Sequence, residues 1–234
     1  MRKYQGRKSL DLALLEIDTK ITVLSSQVQA VFKDSMKSFY NKDLKRSQKI
    51  IEEDILINNF SKEVETQAIE IIRDQAPLAS DMRKLTSLIF VSQELERIAD
   101  YSSGICKINL KIGDEPFITK FEKIPKMEKI AIKMLKDSIS AFCNASDMKS
   151  ASKAARDLIV QDDEIDHLNS QVQKDLIKRM SRAPKLVKQG TYIIWIAHNL
   201  ERIADRSTNI AERTLYVISG DSAVLTPYDD SFYD

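Results

Sequence analysis

The feature that most constrains this fold is the absence of glycine and proline from long stretches of the chain. The 234 residues include only five of each, and neither occurs between Gly6 and Pro77 or between Pro125 and Pro184. Helix interiors exclude both residues, because proline removes a backbone donor and glycine costs backbone entropy. The two stretches therefore predict long helices. The low totals also argue against β-rich and doubly wound nucleotide-binding folds, which need many turn glycines.

Apolar residues recur at spacings of three and four through nearly the whole chain, which is the period of an amphipathic helix. In the first predicted helix they are Leu10, Leu14, Ile17, Ile21, Leu24, Val28 and Val31. Five further segments repeat the pattern. The predicted breaks between the six helices fall at 41–43, 76–77, 113–125, 144–147 and 184–190. We expect Ser80 or Asp81 to cap the third helix.

A literal repeat divides the chain into two halves. Residues 95–100, Leu-Glu-Arg-Ile-Ala-Asp, recur unchanged at 200–205, and residues 54–58 and 162–166 share the pattern Asp-x-x-Ile-(Asn or Asp). Both pairs of matching segments lie at corresponding places in the first three and the last three predicted helices, which two tandem three-helix units explain. We therefore predict an all-α fold with a first three-helix bundle at 8–112, a linker at 113–125, a second bundle at 126–220 and a polar tail at 221–234.

Composition excludes several classes of protein. Lys and Arg number 36 and Asp and Glu 35, whereas domains that coat nucleic acid are usually plainly basic. The two cysteines, Cys106 and Cys143, are too few for a disulfide framework and predict reduced thiols. No apolar stretch approaches the ~20 residues that cross a bilayer, and no signal peptide is recognisable at the N-terminus. We expect a cytoplasmic protein without a membrane span, able to associate with a membrane only through its partners.

Acidic side chains stand four residues apart on four of the predicted helices. Like charges at this spacing destabilise a helix by ~0.2–0.5 kcal/mol per pair, and a partly buried set of carboxylates needs a cation. Ligands that are all oxygen suit hard ions such as Mg²⁺, Mn²⁺, Ca²⁺ or ferric iron. The candidate ligands are Asp54 with Asn58, Glu96 with Asp100, Asp162 with Asp166, and the series Glu201, Asp205, Asn209 and Glu212.

Two other interpretations remain open. A charged stripe is often a solvated or salt-bridged face, and Arg97 and Arg202 adjoin the two glutamates of the repeat; the protein would then be a metal-free structural helical module. A ferritin-like di-iron enzyme would need Glu-x-x-His on two helices. Glu164 and His167 supply that spacing only once. No phosphate-binding glycine loop, nucleophile elbow or Cys/His pair supports catalysis, so we expect a protein that is not an enzyme.

The sequence resembles the PhoU family of accessory proteins of bacterial phosphate transport. The stretches that carry the resemblance are 75–83 (Gln-Ala-Pro-Leu-Ala-Ser-Asp-Met-Arg), 94–100 and 199–212. It implies two three-helix bundles related by a pseudo-twofold axis, in a homodimeric protein without catalytic activity. It also implies a negative regulator of the phosphate-starvation response, which bridges the phosphate transporter ATPase (PstB) and a sensor histidine kinase (PhoR) when phosphate is plentiful.

The resemblance also implies metal binding at the duplicated acidic motifs, with Fe, Mn, Mg or Zn as the candidate ions. It assigns Glu96 and Asp100 to the first half. The second half has Glu201 and Asp205 with Asp162 and Asp166, and the set extends to Asn209 and Glu212. Asp54 and Asn58 are the counterparts in the first half. There an amide replaces a carboxylate, and Gly104 and Lys107 occupy the positions that correspond to Asn209 and Glu212.

Overall fold

A computed structural model describes the backbone of residues 2–225 and the side chains of residues 7–225. Its six long helices are α1 (Arg2–Asn41), α2 (Leu44–Gln75), α3 (Ser80–Ile112), α4 (Ile124–Cys143), α5 (Met148–Arg182) and α6 (Val187–Ser219). Short 3₁₀ helices lie at Pro184–Leu186 and Ser222–Leu225. Residues 2–225 contain no β-strand, which confirms the all-α prediction. The rest of the predicted tail, 226–234, lies outside the described residues.

Side-chain caps begin two of the helices as their sequences suggest. The carboxylates of Asp43 and Asp147 accept hydrogen bonds from the backbone N–H groups of Arg46 and Ser150, at 2.9 and 3.3 Å. These bonds satisfy donors that the first turn of a helix leaves unpaired. Both caps follow the predicted interhelical breaks directly.

The predicted cap of α3 is wrong. The residue at the cap position is Ala79, with a φ of 47° and no side-chain hydrogen bond, and both Ser80 and Asp81 already lie within the first turn. The Asp81 carboxylate instead accepts a hydrogen bond from Arg7 of α1 at 2.6 Å. Asp81, already inside the helix, thus takes part in a tertiary ion pair with α1.

The predicted break at 184–190 is shorter than expected. After the 3₁₀ helix, α6 begins at Val187, so Gly190 lies inside the helix. A Cβ at this position would lie 2.6 Å from Sδ of Met180. This glycine therefore permits close approach of α5 and α6 and does not end a helix.

The two halves share one hydrophobic core. Helices α1–α3 pack together, α4–α6 pack together, and α3 lies along α6. The two central helices are antiparallel, because Phe90 contacts Arg213 and Tyr101 contacts Arg202. This alignment places the identical segments 95–100 and 200–205 side by side, so a pseudo-twofold axis passes between them. The duplicated motif therefore lies where the two units meet.

The linker is fixed to both halves. The buried side chain of Gln189 in α6 accepts a hydrogen bond from the backbone N–H of Ile118 at 2.7 Å and donates one to the carbonyl of Pro116 at 3.1 Å. Phe117 packs against Phe39 of α1, with 5.2 Å between ring centroids. In the described part of the chain, no helix has the length and apolar character needed to span a membrane.

Candidate functional site

The acidic residues of α2 and α3 meet in a groove that we call the first acidic seam, formed by Asp54, Asn58, Glu96 and Asp100. Burial, followed by the negative charge of Asp100, raises the pKa of Asp54 above its ordinary value. The same two causes raise the pKa of Glu96, and Asp54 adds to the effect. Lys107 opposes the rise at Asp54. Residues from two helices thus share one electrostatic environment.

The second acidic seam lies between α5 and α6 and consists of Asp162, Asp166, Glu201 and Asp205. Burial and then the charges of Asp205 and Asp166 raise the pKa of Asp162 to about 7, although a hydrogen bond with Thr208 opposes the shift. Burial and then Asp205 raise the pKa of Glu201 to about 7. Burial and then Asp205 also raise the pKa of Asp166. Arg202 opposes the rise at Glu201. Residues of α5 and α6 thus share one electrostatic environment, in which burial and like charges favour the protonated carboxyl groups.

The two remaining residues of the predicted series extend along α6. Glu212 is only 8% exposed, and burial raises its pKa to about 7, with further contributions from Asp205 and Glu94. Glu94 belongs to α3, so Glu212 faces the contact between the two central helices. Asn209 is half-buried on α6 between Asp205 and Glu212.

Several of these oxygens lack a hydrogen-bond donor. Oδ1 of Asp54, Oδ1 of Asn58 and Oε2 of Glu201 are buried and accept no hydrogen bond. His198 Nδ1 lies 3.1 Å from the Glu201 oxygen, but burial lowers the pKa of this imidazole, so it carries little positive charge at neutral pH. An unsatisfied buried acceptor costs roughly 1–3 kcal/mol. Oxygen atoms that are short of donors match the ligands of a hard cation.

Comparison with known proteins identifies the family. The PhoU domain model matches residues 21–108 and 124–214, which are the two helical repeats. The chain belongs to the PhoU family.

Named relatives support this assignment over nearly the whole chain. A "Phosphate-specific transport system accessory protein PhoU homolog" from Clostridium acetobutylicum is 28% identical over 215 residues, covering 92% of this chain and 96% of the relative. The crystal structure of the phosphate transport system regulatory protein PhoU from Streptococcus pneumoniae matches with a TM-score of 0.83 and 26% identity, covering 91% and 98% of the two chains. PhoU from Pseudomonas aeruginosa has the same fold, with a TM-score of 0.84 at 22% identity and coverage of 90% and 99%.

Neither seam of this PhoU family member is a preformed coordination site. Among residues 7–225, no three His, Cys, Asp or Glu side chains are arranged to hold a metal ion. The donor set therefore fits a hard cation in its chemistry, whereas its ligands are not yet gathered around one point. Binding would require side chains to rotate within the seams.

Arginines that the sequence analysis did not include occupy the second seam. Asp205 forms ion pairs with Arg202 and with Arg206, the latter at 3.2 Å. Both arginines also reach α3: Arg206 lies 3.4 Å from Oε2 of Glu94, and Nε of Arg202 donates to the Tyr101 hydroxyl at 3.4 Å. Asp205 therefore fits the alternative interpretation, in which the charged stripe is a salt-bridged face.

The residues of the di-iron alternative lie apart from the buried oxygens. Glu164 and His167 are both exposed on α5. The His167 ring nitrogen Nε2 lies 2.7 Å from the side-chain amide of Gln171. Burial favours Asp162 over these two residues as ligands in the second seam.

Proposed function

We propose that this protein is a cytoplasmic, non-enzymatic regulator of phosphate uptake. It acts as a homodimeric adaptor between the phosphate transporter ATPase and the sensor histidine kinase, and it restrains the phosphate-starvation response when phosphate is plentiful. Membership of the PhoU family over both repeats supports the phosphate-transport role. The accessory role in the names of full-length relatives supports it as well.

We further propose that each acidic seam binds a hard cation, with Mg, Mn, Zn or Fe as candidates. The observation that carries this proposal is the set of buried oxygens without donors in both halves. Asp54, Asn58, Glu96 and Asp100 would hold the ion in the first seam. In the second, the ligands would be Asp162, Asp166, Glu201 and Asp205, extended by Asn209 and Glu212. The bound ion would supply the positive charge that these oxygens lack.

Melting of metal-free protein tests the cation sites. A ligand that binds only the folded state adds about 2.7 kcal/mol at a concentration of 100 times its Kd, which raises the Tm of a chain of this size by roughly 5–11 °C. We expect such a rise with at least one of Mg²⁺, Mn²⁺, Zn²⁺ and Fe³⁺. Glu201→Gln with Asp205→Asn should remove the contribution of the second seam.

The matched control changes two exposed carboxylates of the same helical pairs, Glu70→Gln with Glu164→Gln, and should keep the full rise in Tm. If no ion raises the Tm of the unmodified protein, the cation proposal is wrong. The adaptor role would then rest on family membership alone.

Affinity capture tests the adaptor role. The protein is recovered from cells grown in high and in low phosphate, and we expect the transporter ATPase and the sensor kinase to co-purify, most strongly in high phosphate. Recovery of neither partner in either condition would contradict the proposal. Sedimentation equilibrium of the purified protein tests the homodimer, and a monomeric mass at micromolar concentration would exclude it.

A further inference from the structure

The Asp205 carboxylate is needed by two competing sets of partners. In the second acidic seam it would be a cation ligand, yet it now pairs with Arg202 and Arg206. A carboxylate that pairs with two guanidinium groups has less negative charge to offer a metal ion. Both arginines contact Oδ2 of Asp205, so a cation at this carboxylate would compete with them for its negative charge.

Arg206 pairs with one carboxylate of each repeat. Its side chain is 16% exposed, it lies 3.2 Å from Asp205 and 3.4 Å from Glu94, and its buried Nε has no hydrogen-bond partner. Arg202 has a shorter contact with Asp205. Arg206 thus donates one hydrogen bond to Asp205 in the second seam and one to Glu94 in the first repeat.

The first seam has no equivalent. Asp100 corresponds to Asp205 in the repeat, and Tyr101 stands where the second repeat has Arg206. Among the described residues Asp100 forms no ion pair with Lys, Arg or His, and Arg97, the counterpart of Arg202, is exposed. The two seams therefore differ in whether arginines compete with a cation for the aspartate.

We propose that Arg206 gates the second seam: cation uptake breaks its hydrogen bond to Asp205 and leaves Glu94 of α3 as its carboxylate partner, and so couples the seam to the contact between the two halves. The inference rests on the cation binding proposed above. Glu94 is outside the predicted ligand set, and its side chain is also only 16% exposed. Glu94, which already accepts a hydrogen bond from Arg206, is therefore placed to keep the guanidinium group in a partly dehydrated environment once its bond to Asp205 is broken.

Thermodynamic linkage predicts the direction in which each substitution changes the affinity for the cation. If cation binding strengthens the Arg206–Glu94 pair, that pair must strengthen cation binding by the same factor. Removing Glu94 leaves Arg206 with Asp205 alone and should weaken cation binding. Removing Arg206 frees Asp205 and should tighten it. Two changes on opposite sides of the helix contact are thus expected to have opposite effects.

A double-mutant cycle measures this coupling. All variants carry Glu96→Gln and Asp100→Asn to inactivate the first seam, and free Mn²⁺ is followed by electron paramagnetic resonance during a titration. We expect Arg206→Gln to lower the Kd of the second seam by about three- to tenfold, the range for losing a partly buried ion pair. Glu94→Gln should raise the Kd. The fold-change that it causes should be at least about three times larger when Arg206 is present than in the Arg206→Gln background.

Arg156→Gln is the control for the loss of one positive charge, because Arg156 is exposed on α5 and, among the described residues, forms no ion pair with either seam. Its effect on the Kd should be smaller than that of Arg206→Gln. Hydrogen exchange supplies a second readout: Mn²⁺ should slow exchange of the α3 amides around Glu94, and Arg206→Gln should abolish that change.

The outcomes separate the two proposals. If Mn²⁺ binds and the effects of Glu94→Gln and Arg206→Gln are simply additive, charge alone explains them; the gate is wrong and the cation site stands. If neither the parent nor Arg206→Gln binds Mn²⁺, the cation site and the gate are both wrong. Binding with a non-additive cycle of the stated sign supports the gate.

Discussion

Replacing Glu201 by glutamine should stabilise the metal-free protein at neutral and alkaline pH. The Glu201 side chain is 18% exposed, and its pKa is about 7 compared with an ordinary value of 4.5. The folded protein therefore binds this proton more tightly than the unfolded chain does. The stabilisation that this proton provides is complete below pH 4.5 and is lost as the pH rises to about 7.

The size of the effect follows from the two pKa values. Their difference, at ~1.4 kcal/mol for each pH unit, corresponds to roughly 3 kcal/mol. The stability of Glu201→Gln relative to the unmodified protein should rise by most of this amount between pH 5 and pH 8. For a chain of this length, 3 kcal/mol corresponds to roughly 6–12 °C in Tm.

Urea denaturation in the presence of a chelator, at several pH values from 5 to 8, measures the difference directly. Glu164→Gln changes an exposed carboxylate on α5 and should leave the pH profile unchanged. Adding a cation that binds the second seam should make the unmodified protein more stable than Glu201→Gln, since only the unmodified protein has the carboxylate charge of Glu201 to bind the cation. Parallel profiles for Glu201→Gln and the unmodified protein would refute the claim that burial and Asp205 raise the pKa of this carboxyl group.

Three further substitutions test how the helices are held. Gln189→Ala removes two hydrogen bonds to the linker and should cost about 2 kcal/mol in urea denaturation, with faster hydrogen exchange at Ile118. Asp147→Ala removes the cap of α5 and should cost ~1 kcal/mol, whereas Asp147→Asn, which can still cap, should be nearly neutral; equal losses would argue against capping. Gly190→Ala must displace the flexible Met180 side chain, an overpacking cost of roughly 1–3 kcal/mol from which the helix propensity of alanine subtracts about 1 kcal/mol; we expect a net loss of stability, and an unchanged Tm would show that Met180 moves aside at little cost.

The helices were predictable because the signals that define them are local. Gly/Pro-free stretches and the 3.6-residue period depend on neighbours along the chain, and the observed ends lie close to the predicted breaks. The two errors concern where a helix begins. Helix α3 begins at Ser80, one or two positions earlier than a cap at Ser80 or Asp81 requires, and Asp81 pairs with Arg7 of α1. The packing of Met180 against Gly190 explains a glycine that the sequence suggested as a break.

The candidate ligands were also found by local spacing, since the duplication marks the same positions twice. The structure brings Asp54 near Asp100 across α2 and α3. Spacing within one helix cannot show which residue approaches from another, and Glu94 and Arg206 are separated by 112 positions. Divergence between the repeats was the available signal: Glu94 corresponds to Asn199, and Arg206 to Tyr101.

This divergence gives a nearly symmetric fold an asymmetric response. The pseudo-twofold axis relates the Glu94–Arg206 contact to the pair Asn199 and Tyr101, which has no charge. An ion pair thus links the halves on one side of the axis, and it shares an arginine with the second seam. A cation in the first seam meets no arginine bound to Asp100. If the gate is correct, cation binding changes the contact between α3 and α6 only when the cation is in the second seam. The two duplicated seams then serve different roles.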